Sequence, residues 1–302
     1  MIITRNPDAL DLPLPLDLSQ GTSVTVGNFD GVHLGHQALL AMTCERAAAT
    51  GTLPVAMTFN PHPLEVLTPY APPRLTTPQA RLALLEASGM ALVMLVVFTS
   101  EFAAMSPETF VRRILLGTLN MRELLLGYDF TLGKGRAGTP EVLAQLGKAE
   151  GFNVDRMDAL SVHDEVVSST RIRELLHQGQ VWEASSLLGR LYSVQGEVIH
   201  GKNRGGRLLG FPTANLAPTP TMLPKPGVYV TLATPSESAG SGLPFVFDPA
   251  HPTPNTYPAV TNIGYNPTFG PGVLTVETHL LDFDADLYGK HLEVAFVERL
   301  RG

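Results

Sequence analysis

Hydrophobic and polar positions follow one pattern over the first part of the chain. Between about residues 22 and 185, short apolar runs typical of buried strands, among them SVTVGNF, LPVAMTF and ALVMLVVF, alternate with helix-like stretches such as HQALLAMTCERAAAT. Regular alternation of strand and helix predicts a parallel sheet that carries helices on its faces. We therefore predict an α/β domain with a Rossmann-like parallel sheet over residues 1–186.

A different pattern begins after Gly189, where the helical periodicity disappears. Short runs such as GVYVTLAT and TVETHLLDF are separated by Gly, Pro and Asn, which is typical of a small antiparallel barrel. We predict that this barrel forms a second domain over residues 187–302. Segment 234–258 is rich in Pro, Gly and Ser, and we expect it to extend a hairpin loop.

Composition and charge narrow the function classes. A chain of 302 residues with 44% hydrophobic and 16% charged residues has room for about two globular domains. Its net charge of −7 argues against a broad nucleic-acid surface, and its single cysteine excludes an internal disulfide and a cysteine-based zinc site. The N-terminus lacks the basic start of a signal peptide, and the longest apolar run is too short to span a bilayer. We therefore expect a cytoplasmic protein without nucleic-acid or membrane partners.

Two histidines carry the clearest chemical signal. In GNFDGVHLGHQ, His33 and His36 follow an apolar strand directly and precede a helix. At that edge open α/β sheets bind ligands, and the N–H groups of a helix N-terminus can bind phosphate. Imidazoles there could donate hydrogen bonds to a phosphate that gains charge in a transition state, which suits nucleotidyl transfer. In the alternative interpretation His33 is a turn residue and His36 a helix-start residue, but the paired arrangement favours a functional role.

Other motifs fall at the ends of predicted strands. Asn60 and His62 in TFNPHP end the second strand, where Asn60 could bind the polar edge of a nucleotide or flavin, although Asn-Pro is also an ordinary turn start. The segment GKGRAG at 133–138 satisfies G-x-G-x-x-G, but YDFTL separates it from its strand, unlike a dinucleotide-binding fingerprint. We interpret it as a loop that contacts phosphate or flavin.

The segment SSTRIRELL opens a helix, and one of its hydroxyl residues must cap that helix. Capping does not explain Arg171 and Arg173, because cations in a first turn oppose the helix dipole. An anion that docks at this N-terminus would explain them better than a solvated charge pair does.

These motifs resemble, in order, those of a known family. GNFDGVHLGHQ, TFNPHP, GYDFTLGKGRAGT and SSTRIRELL are similar to the adenylyltransferase half of the prokaryotic bifunctional riboflavin kinase/FMN adenylyltransferases, also called FAD synthetases. GKNRGGRLLGFPTANL, GVYV, NIGYNPTFG and VETHLLDFDADLYGKHLEVAFVERLR are similar to the riboflavin kinase module. The resemblance implies an α/β nucleotidyltransferase domain followed by a small antiparallel β-barrel riboflavin kinase domain.

The resemblance also implies substrates and cofactors. ATP would phosphorylate riboflavin to FMN and then adenylylate FMN to FAD, with Mg2+ as the cofactor of both steps. FMN is thus an intermediate and FAD the product, and weak homo-oligomer formation is left open.

Site residues follow from the same resemblance. The catalytic residues are His33 and His36 for adenylyl transfer, and Glu277 and Asn215 for phosphoryl transfer, with Thr213 and Asn215 as the contacts to the magnesium-nucleotide. The nucleotide-binding residues are Gly27, Asn28, Phe29, Gly35, Ser168, Ser169, Thr170, Arg171, Gly201, Lys202, Gly210, Pro212 and Thr213. The flavin-binding residues are Asn60, His62, Gly127, Asp129 and Phe130.

The kinase module has no P-loop. GEVIHGKN places Asn203 where Ser or Thr should hold magnesium, in a strand-turn context, although the glycines and cations that follow can still hold phosphate. A kinase that acts on an alcohol needs a group to take the hydroxyl proton. The resemblance assigns this role to Glu277, and a carboxylate pointing into a barrel would need such a reason, although Glu on an outward strand face is common.

Departures from the family and alternative functions remain. Family members usually continue with a helix where this sequence ends at Gly302, and together with the 234–258 insertion we expect this to affect the stability or flavin affinity of the kinase site. Only one of the two activities could be live, or the chain could be a flavin-binding protein without catalysis. A nucleotidyltransferase for pantetheine or nicotinate nucleotides would share the histidine motif, but GFPTAN and the barrel argue against it.

Overall fold

A computed structural model describes residues 2–5, 16–199, 213–217, 220–237, 255–265 and 274–301. By its internal contacts the chain forms two compact units, residues 1–72 with 81–161, and residues 73–80 with 162–302. The domain boundary that the sequence analysis sets after residue 186 stays a prediction. Within the described residues, no helix is both long and apolar enough to cross a membrane.

The first unit is built on a six-stranded sheet in which every neighbouring pair is parallel, so the predicted parallel sheet is confirmed. Its strands are β1 (Ile2–Arg5), β2 (Thr22–Val26), β3 (Leu53–Asn60), β4 (Leu92–Val97), β5 (Met121–Leu126) and β6 (Asn153–Arg156), in the order β1-β4-β3-β2-β5-β6. β3 and β4 lie on one side of β2, whereas the next strands, β5 and β6, lie on its other side. Such a reversal places a ligand crevice at the carboxyl ends of the strands on either side of it.

Helices connect these strands. They are α1 (Leu34–Thr50), α2 (Pro63–Leu67), α3 (Pro78–Ala87), α4 (Ser100–Ala103), α5 (Pro107–Phe110), which continues as π-helical turns over Val111–Thr118, and α6 (Pro140–Glu150), with a short 3-10 turn at Lys134–Arg136.

Both faces of the sheet are buried, which explains the nearly continuous apolar runs of its strands. On β4, Leu92 and Met94 belong to one hydrophobic core and Val93 to a second. On β3, Met57 and Ala56 divide in the same way. Successive side chains of a strand point to opposite faces, so an unbroken apolar run supplies both cores at once.

The second unit contains the predicted barrel. Two helices, α7 (Ser169–Gln178) and α8 (Val181–Leu188), follow the short pair β7 (Ser161–Val162) and β8 (Glu165–Val166). The barrel is closed, and its neighbouring strands are antiparallel in the order β10-β13-β12-β11-β14-β9. Its strands are β9 (Tyr192–Ile199), β10 (Ala214–Leu216), β11 (Gly227–Ser236), β12 (Tyr257–Tyr265), β13 (Leu274–Leu280) and β14 (His291–Arg301).

Alternation along the strands separates the inside of the barrel from the outside. Tyr229 on β11 is fully buried, and so are three threonines on adjacent strands, Thr231, Thr261 and Thr278. The hydroxyl oxygen of Thr261 lies 2.8 Å from that of Thr231 and 3.0 Å from that of Thr278, so the three threonines form a row. The segment predicted to extend a hairpin connects the paired strands β11 and β12, and residues 238–254 of it lie outside the described residues.

Candidate active sites

The loop after β2 has a tightly fixed backbone. The N–H of Gly27 donates to the carbonyl of Met57 at 3.0 Å, and the N–H of Val32 donates to the carbonyl of Phe29 at 3.1 Å. Phe29 and Val32 both adopt positive φ, +50° and +38°, which side chains of this size rarely do. Phe29 is fully buried, and a Cβ on Gly27 would lie 3.1 Å from its ring. Core packing therefore holds a strained loop in one shape.

His33 ends this loop and caps α1. Its Nδ1 accepts a hydrogen bond from the N–H of His36 at 3.3 Å, as an N-cap side chain does. Because Nδ1 accepts, a neutral His33 carries its proton on Nε2, which is then a donor. The interpretation of His33 as a turn residue and of His36 as a helix-start residue therefore describes the local structure correctly, and the catalytic role of His33 stays a prediction.

The two imidazoles form a stacked pair. The ring centroids of His33 and His36 lie 3.6 Å apart with the planes 15° from parallel, and the Phe29 ring meets His36 edge-on at 5.2 Å. Nδ1 of His36 is shielded from solvent and has no hydrogen-bond partner within the described part of the chain. Burial, with the charges of His33 and Arg81, holds the pKa of His36 well below its usual range. The pair thus presents a neutral imidazole at neutral pH.

Arg81 is a residue that the sequence analysis missed. It comes from α3, is only 6% exposed, and donates to the carbonyls of Asn28 at 2.9 Å and Phe59 at 2.6 Å. The signal that could have found it is a lone cation in an apolar helix, since ARLALLEASGM contains no other basic residue. Gly35, predicted to bind nucleotide, is buried in the first turn of α1.

The predicted flavin residues lie at the ends of β3 and β5, the two strands that flank β2. At the end of β3, the carbonyl of Asn60 accepts from the N–H of Phe98 at 3.2 Å, and Nδ1 of His62 caps α2 by accepting from the N–H of Leu64 at 3.2 Å. His62 thus has a local structural role in addition to the predicted one.

After β5 the chain makes a short turn, in which the N–H of Phe130 donates to the carbonyl of Gly127 at 3.2 Å and Asp129 is exposed. A Cβ on Gly127 would lie 3.8 Å from the Leu39 side chain of α1. The glycine-rich segment begins at Gly133, seven residues beyond the end of β5, in an exposed turn. In a dinucleotide-binding fingerprint the first glycine follows the strand directly, so this segment does not match that motif.

At the start of α7, both the helix cap and the partner of Arg171 come from the chain itself. Ser168 is the cap, since its Oγ accepts from the N–H of Arg171 at 3.1 Å, while Ser169 begins the helix and Thr170 is exposed. The Arg171 guanidinium binds both carboxylate oxygens of Glu165, at 2.7 and 2.8 Å. Glu165 thus compensates this cation within the chain, and an anion that docks at this N-terminus stays a prediction.

The second cation of that turn is also engaged within the chain. Nε of Arg173 donates to the carbonyl of Pro73 at 2.8 Å. The ion pair between Arg171 and Glu165 raises the pKa of the guanidinium and lowers the pKa of the carboxylate. Binding of ATP by residues 168–171 stays a prediction.

On the barrel, three polar residues stand side by side on adjacent strands. Glu277 on β13 is the register partner of Asn215 on β10 and of Asn262 on β12. Directly opposed residues of antiparallel strands have Cβ atoms about 5 Å apart. Asn262 was missed, although it lies in the NIGYNPTFG motif. Exposed Thr213 immediately precedes β10, and its carbonyl accepts from Nδ2 of Asn215 at 3.5 Å.

The structure also shows which face of β13 carries the Glu277 side chain. Val276 and Thr278, its neighbours on β13, are 2% and 0% exposed, and the Thr278 hydroxyl belongs to the interior threonine row. Because side chains alternate along a strand, Glu277 lies on the outer face of the barrel. Of the two orientations that the sequence leaves open for this carboxylate, the structure therefore shows the outward one.

Comparison with known proteins decides the family. The FAD synthetase family model matches residues 17–171, and the riboflavin kinase model matches residues 188–302. A relative from Escherichia coli (strain K12), named bifunctional riboflavin kinase/FMN adenylyltransferase, is 35% identical over 93% of this chain and 85% of its own length. This chain belongs to the bifunctional riboflavin kinase/FMN adenylyltransferase family.

Further relatives agree with this membership. A bifunctional riboflavin kinase/FMN adenylyltransferase from Bacillus subtilis (strain 168) is 35% identical over 92% of this chain and 84% of its own. The chain is also similar to a solved structure described as a macrolide-efflux protein from Streptococcus pneumoniae, with a TM-score of 0.82 and 30% identity over 99% of this chain and 91% of that one.

The magnesium site that the resemblance implies can be compared with the donor atoms of the barrel residues. Thr213, Asn215 and Glu277 offer hydroxyl, amide and carboxylate oxygens, the ligand type that Mg2+ prefers. Within the described ranges, no group of three or more His, Cys, Asp or Glu side chains could hold a metal by itself. The residues present therefore fit an ion that shares its coordination with nucleotide phosphates. Four predicted contacts lie outside the described residues: Gly201, Lys202, Gly210 and Pro212.

Proposed function

We propose that the two reactions of the family are divided between the two sites described above. Phosphorylation of riboflavin to FMN takes place on the outer wall of the barrel, and adenylylation of FMN to FAD at the carboxyl edge of the parallel sheet. ATP is the co-substrate of both. The observation that carries the proposal is the stacked imidazole pair at the start of α1, beside the point where the strand order reverses.

In adenylyl transfer, an oxygen of the FMN phosphate attacks the α-phosphorus of ATP, and the bond to pyrophosphate breaks. Negative charge builds up on the oxygens of that phosphorus. Nε2–H of His33 and the His36 imidazole donate hydrogen bonds to them, together with N–H groups at the N-terminus of α1. Neutral donors suit this task, because they bind the growing charge without an ionised side chain having to be desolvated.

The proposal assigns the remaining predicted contacts of adenylyl transfer to the nucleotide and to the flavin. Gly27, Asn28 and Phe29 approach the nucleotide through the backbone of the fixed loop. Ser168 to Arg171 bind the triphosphate, for which Arg171 must exchange its pair with Glu165. The flavin-side residues at the ends of β3 and β5 are Asn60, His62, Gly127, Asp129 and Phe130.

In phosphoryl transfer, the terminal hydroxyl of the riboflavin side chain attacks the γ-phosphorus of ATP, and ADP leaves. Glu277 orients this hydroxyl and takes its proton. Thr213 and Asn215 hold Mg2+, which when bound neutralises phosphate charge. Asn262, on the other side of Glu277, fixes the orientation of the carboxylate.

One product assay tests this division of labour. With riboflavin, ATP and magnesium, chromatography should show FMN and then FAD for the unmodified chain. His36→Asn should stop at FMN, with FMN adenylylation about 10²–10³-fold slower. Glu277→Gln should phosphorylate riboflavin about 10²–10⁴-fold more slowly and still convert supplied FMN to FAD.

Each variant thus serves as the folding control of the other. FMN that accumulates without FAD in the unmodified chain would mean that only the kinase is active. Bound flavin without any turnover would favour a flavin-binding protein. If one variant slows both reactions equally, the assignment of the two sites is wrong.

A further inference from the structure

Arg81 is a cation in the interior of the first unit, outside every motif used above. At 6% exposure its guanidinium has lost nearly all contact with solvent. Burial of a charge is unfavourable unless hydrogen bonds compensate for the lost water. A neutral residue would fit an apolar helix better, so the position of Arg81 needs a specific explanation.

Its hydrogen bonds supply one. Two nitrogens of one guanidinium donate to the carbonyl of Asn28, at 2.9 Å, and to the carbonyl of Phe59, at 2.6 Å. Asn28 belongs to the loop that leads from β2 to His33, and Phe59 directly precedes Asn60 at the end of β3. The Asn28 carbonyl also accepts from the Thr58 hydroxyl at 3.1 Å. One planar fork thus joins the carboxyl ends of two neighbouring strands.

We propose that Arg81 is a positioning residue for adenylyl transfer: by holding the carbonyls of Asn28 and Phe59 together, it sets the distance between the imidazole pair and the Asn60 side of the site. The inference rests on the proposed function of His33 and His36. Lysine cannot replace this arrangement, because an ammonium group is a single point charge without two donors fixed in a plane.

The same guanidinium acts on His36 through its charge. Within the described residues, the titratable and charged groups that influence the His36 imidazole are His33, stacked on it, and Arg81. Burial is the largest cause of the lowered pKa of His36, and these two charges add to it. Loss of the Arg81 charge should therefore bring the pKa of His36 part of the way back to its usual range.

The test compares Arg81→Lys and Arg81→Met with Arg112→Met, a matched control. Arg112 lies in the same unit, 61% exposed in its side chain, and pairs with Glu150 at 2.7 Å. For each full-length variant, kcat and KM for FMN and ATP are measured from about pH 5.5 to about pH 8. Riboflavin phosphorylation and the thermal unfolding midpoint are measured in the same preparations.

Arg81→Met should lower kcat of FMN adenylylation about 10- to 100-fold, the effect of displaced reacting groups. Its acid limb should move to higher pH, while riboflavin phosphorylation stays unchanged. Arg81→Lys should keep the acid limb of the unmodified chain but lose part of kcat, because the charge remains and the fork does not. A residue needed only for folding would lower the amount of active protein and leave the pH profile in place.

The proposal is overturned if both Arg81 variants, corrected for folded protein, match Arg112→Met in kcat and pH profile. If Arg81→Met does not fold, Arg81→Lys decides: an unchanged kcat overturns the proposal and a reduced kcat supports it. His36→Asn is run in parallel as the reference for the site. If that variant keeps full FMN adenylylation, the proposed function itself fails, and the role of Arg81 fails with it.

Discussion

The two candidate active sites of this chain are assembled in opposite ways. At the edge of the sheet, His33 and His36 follow the end of a strand, where loops from neighbouring strands converge and burial keeps an imidazole neutral. On the barrel, Asn215, Glu277 and Asn262 lie within three adjacent strands and are aligned by register on the outer face. The first site therefore depends on packing and charge, and the second on pairing of strands. Substitutions should separate these two dependences.

At the sheet site the largest effect is expected from His33, which caps α1 and is the proposed donor to the transition state. His33→Asn retains a good helix cap and removes the imidazole, whereas His33→Ala removes both. Both variants should slow FMN adenylylation about 10²–10³-fold, because a donor to the transition state is lost. Only His33→Ala should also lose about 1 kcal/mol of unfolding free energy. Steady-state assays measure the first effect and chemical denaturation the second. If His33→Asn retained normal activity, His33 would serve only as a helix cap.

The position of His33 and His36 at the start of α1 could be predicted because its sequence signals are local. Three glycines and two histidines within the eleven residues after a strand place the imidazoles at a carboxyl edge once the strand is recognised. Arg81 could not be predicted in this way, because it acts on backbone carbonyls, which a sequence does not distinguish. β1, which pairs with β4 at the edge of the sheet, was likewise not predicted from its four residues.

The barrel site was predicted less completely, because alternation along a strand identifies two faces without telling which one is inside. Both orientations of Glu277 were open from the sequence, and the structure decides between them because Thr278, the next residue on the strand, completes the interior row. Asn262 joins the site only through strand pairing. Glu165, which compensates Arg171, lies on a short strand six residues earlier, and its contact depends on how that strand folds back.

A second prediction tests the interior threonine row of the barrel. Thr261 lies between Thr231 and Thr278, and Thr261→Val would leave both neighbours without this hydroxyl partner. Buried hydroxyls that lose a partner cost about 1–3 kcal/mol, so the unfolding free energy should fall by about that amount. Riboflavin phosphorylation should be lost at a lower temperature than FMN adenylylation, as activity after heating would show.

Thr234→Val serves as the control for this experiment. The Thr234 hydroxyl lies 2.9 Å from that of Thr256 in a half-buried position, where water can replace the lost partner. Its effect should be smaller. Equal losses for Thr234→Val and Thr261→Val would show that the buried row adds nothing beyond an ordinary hydroxyl pair.

A third prediction concerns pH and the sheet site alone. The pKa of His36 is lowered in the folded chain, so below about pH 6.5 the unfolded chain takes up a proton that the folded chain does not. Stability is therefore fully present above that pH and falls by up to about 1.4 kcal/mol per pH unit below it. His36→Asn should show a shallower fall, measured by denaturant unfolding between about pH 7 and about pH 5.5. His177→Asn, at an exposed histidine of α7, is the matched variant, and identical slopes for both variants would contradict the prediction.

The smallest effect is expected at the start of α7, where Glu165 occupies the guanidinium that the proposal assigns to ATP. Glu165→Gln removes an exposed ion pair, and because such pairs contribute little, KM for ATP in FMN adenylylation should fall by at most about fivefold. Glu174→Gln is the control, since its single contact to Arg171 is 3.4 Å long. The difference between the two variants should disappear at high salt, because exposed charges are screened. If KM is the same for both at low salt, Arg171 does not exchange Glu165 for ATP, and the triphosphate must be bound by other groups.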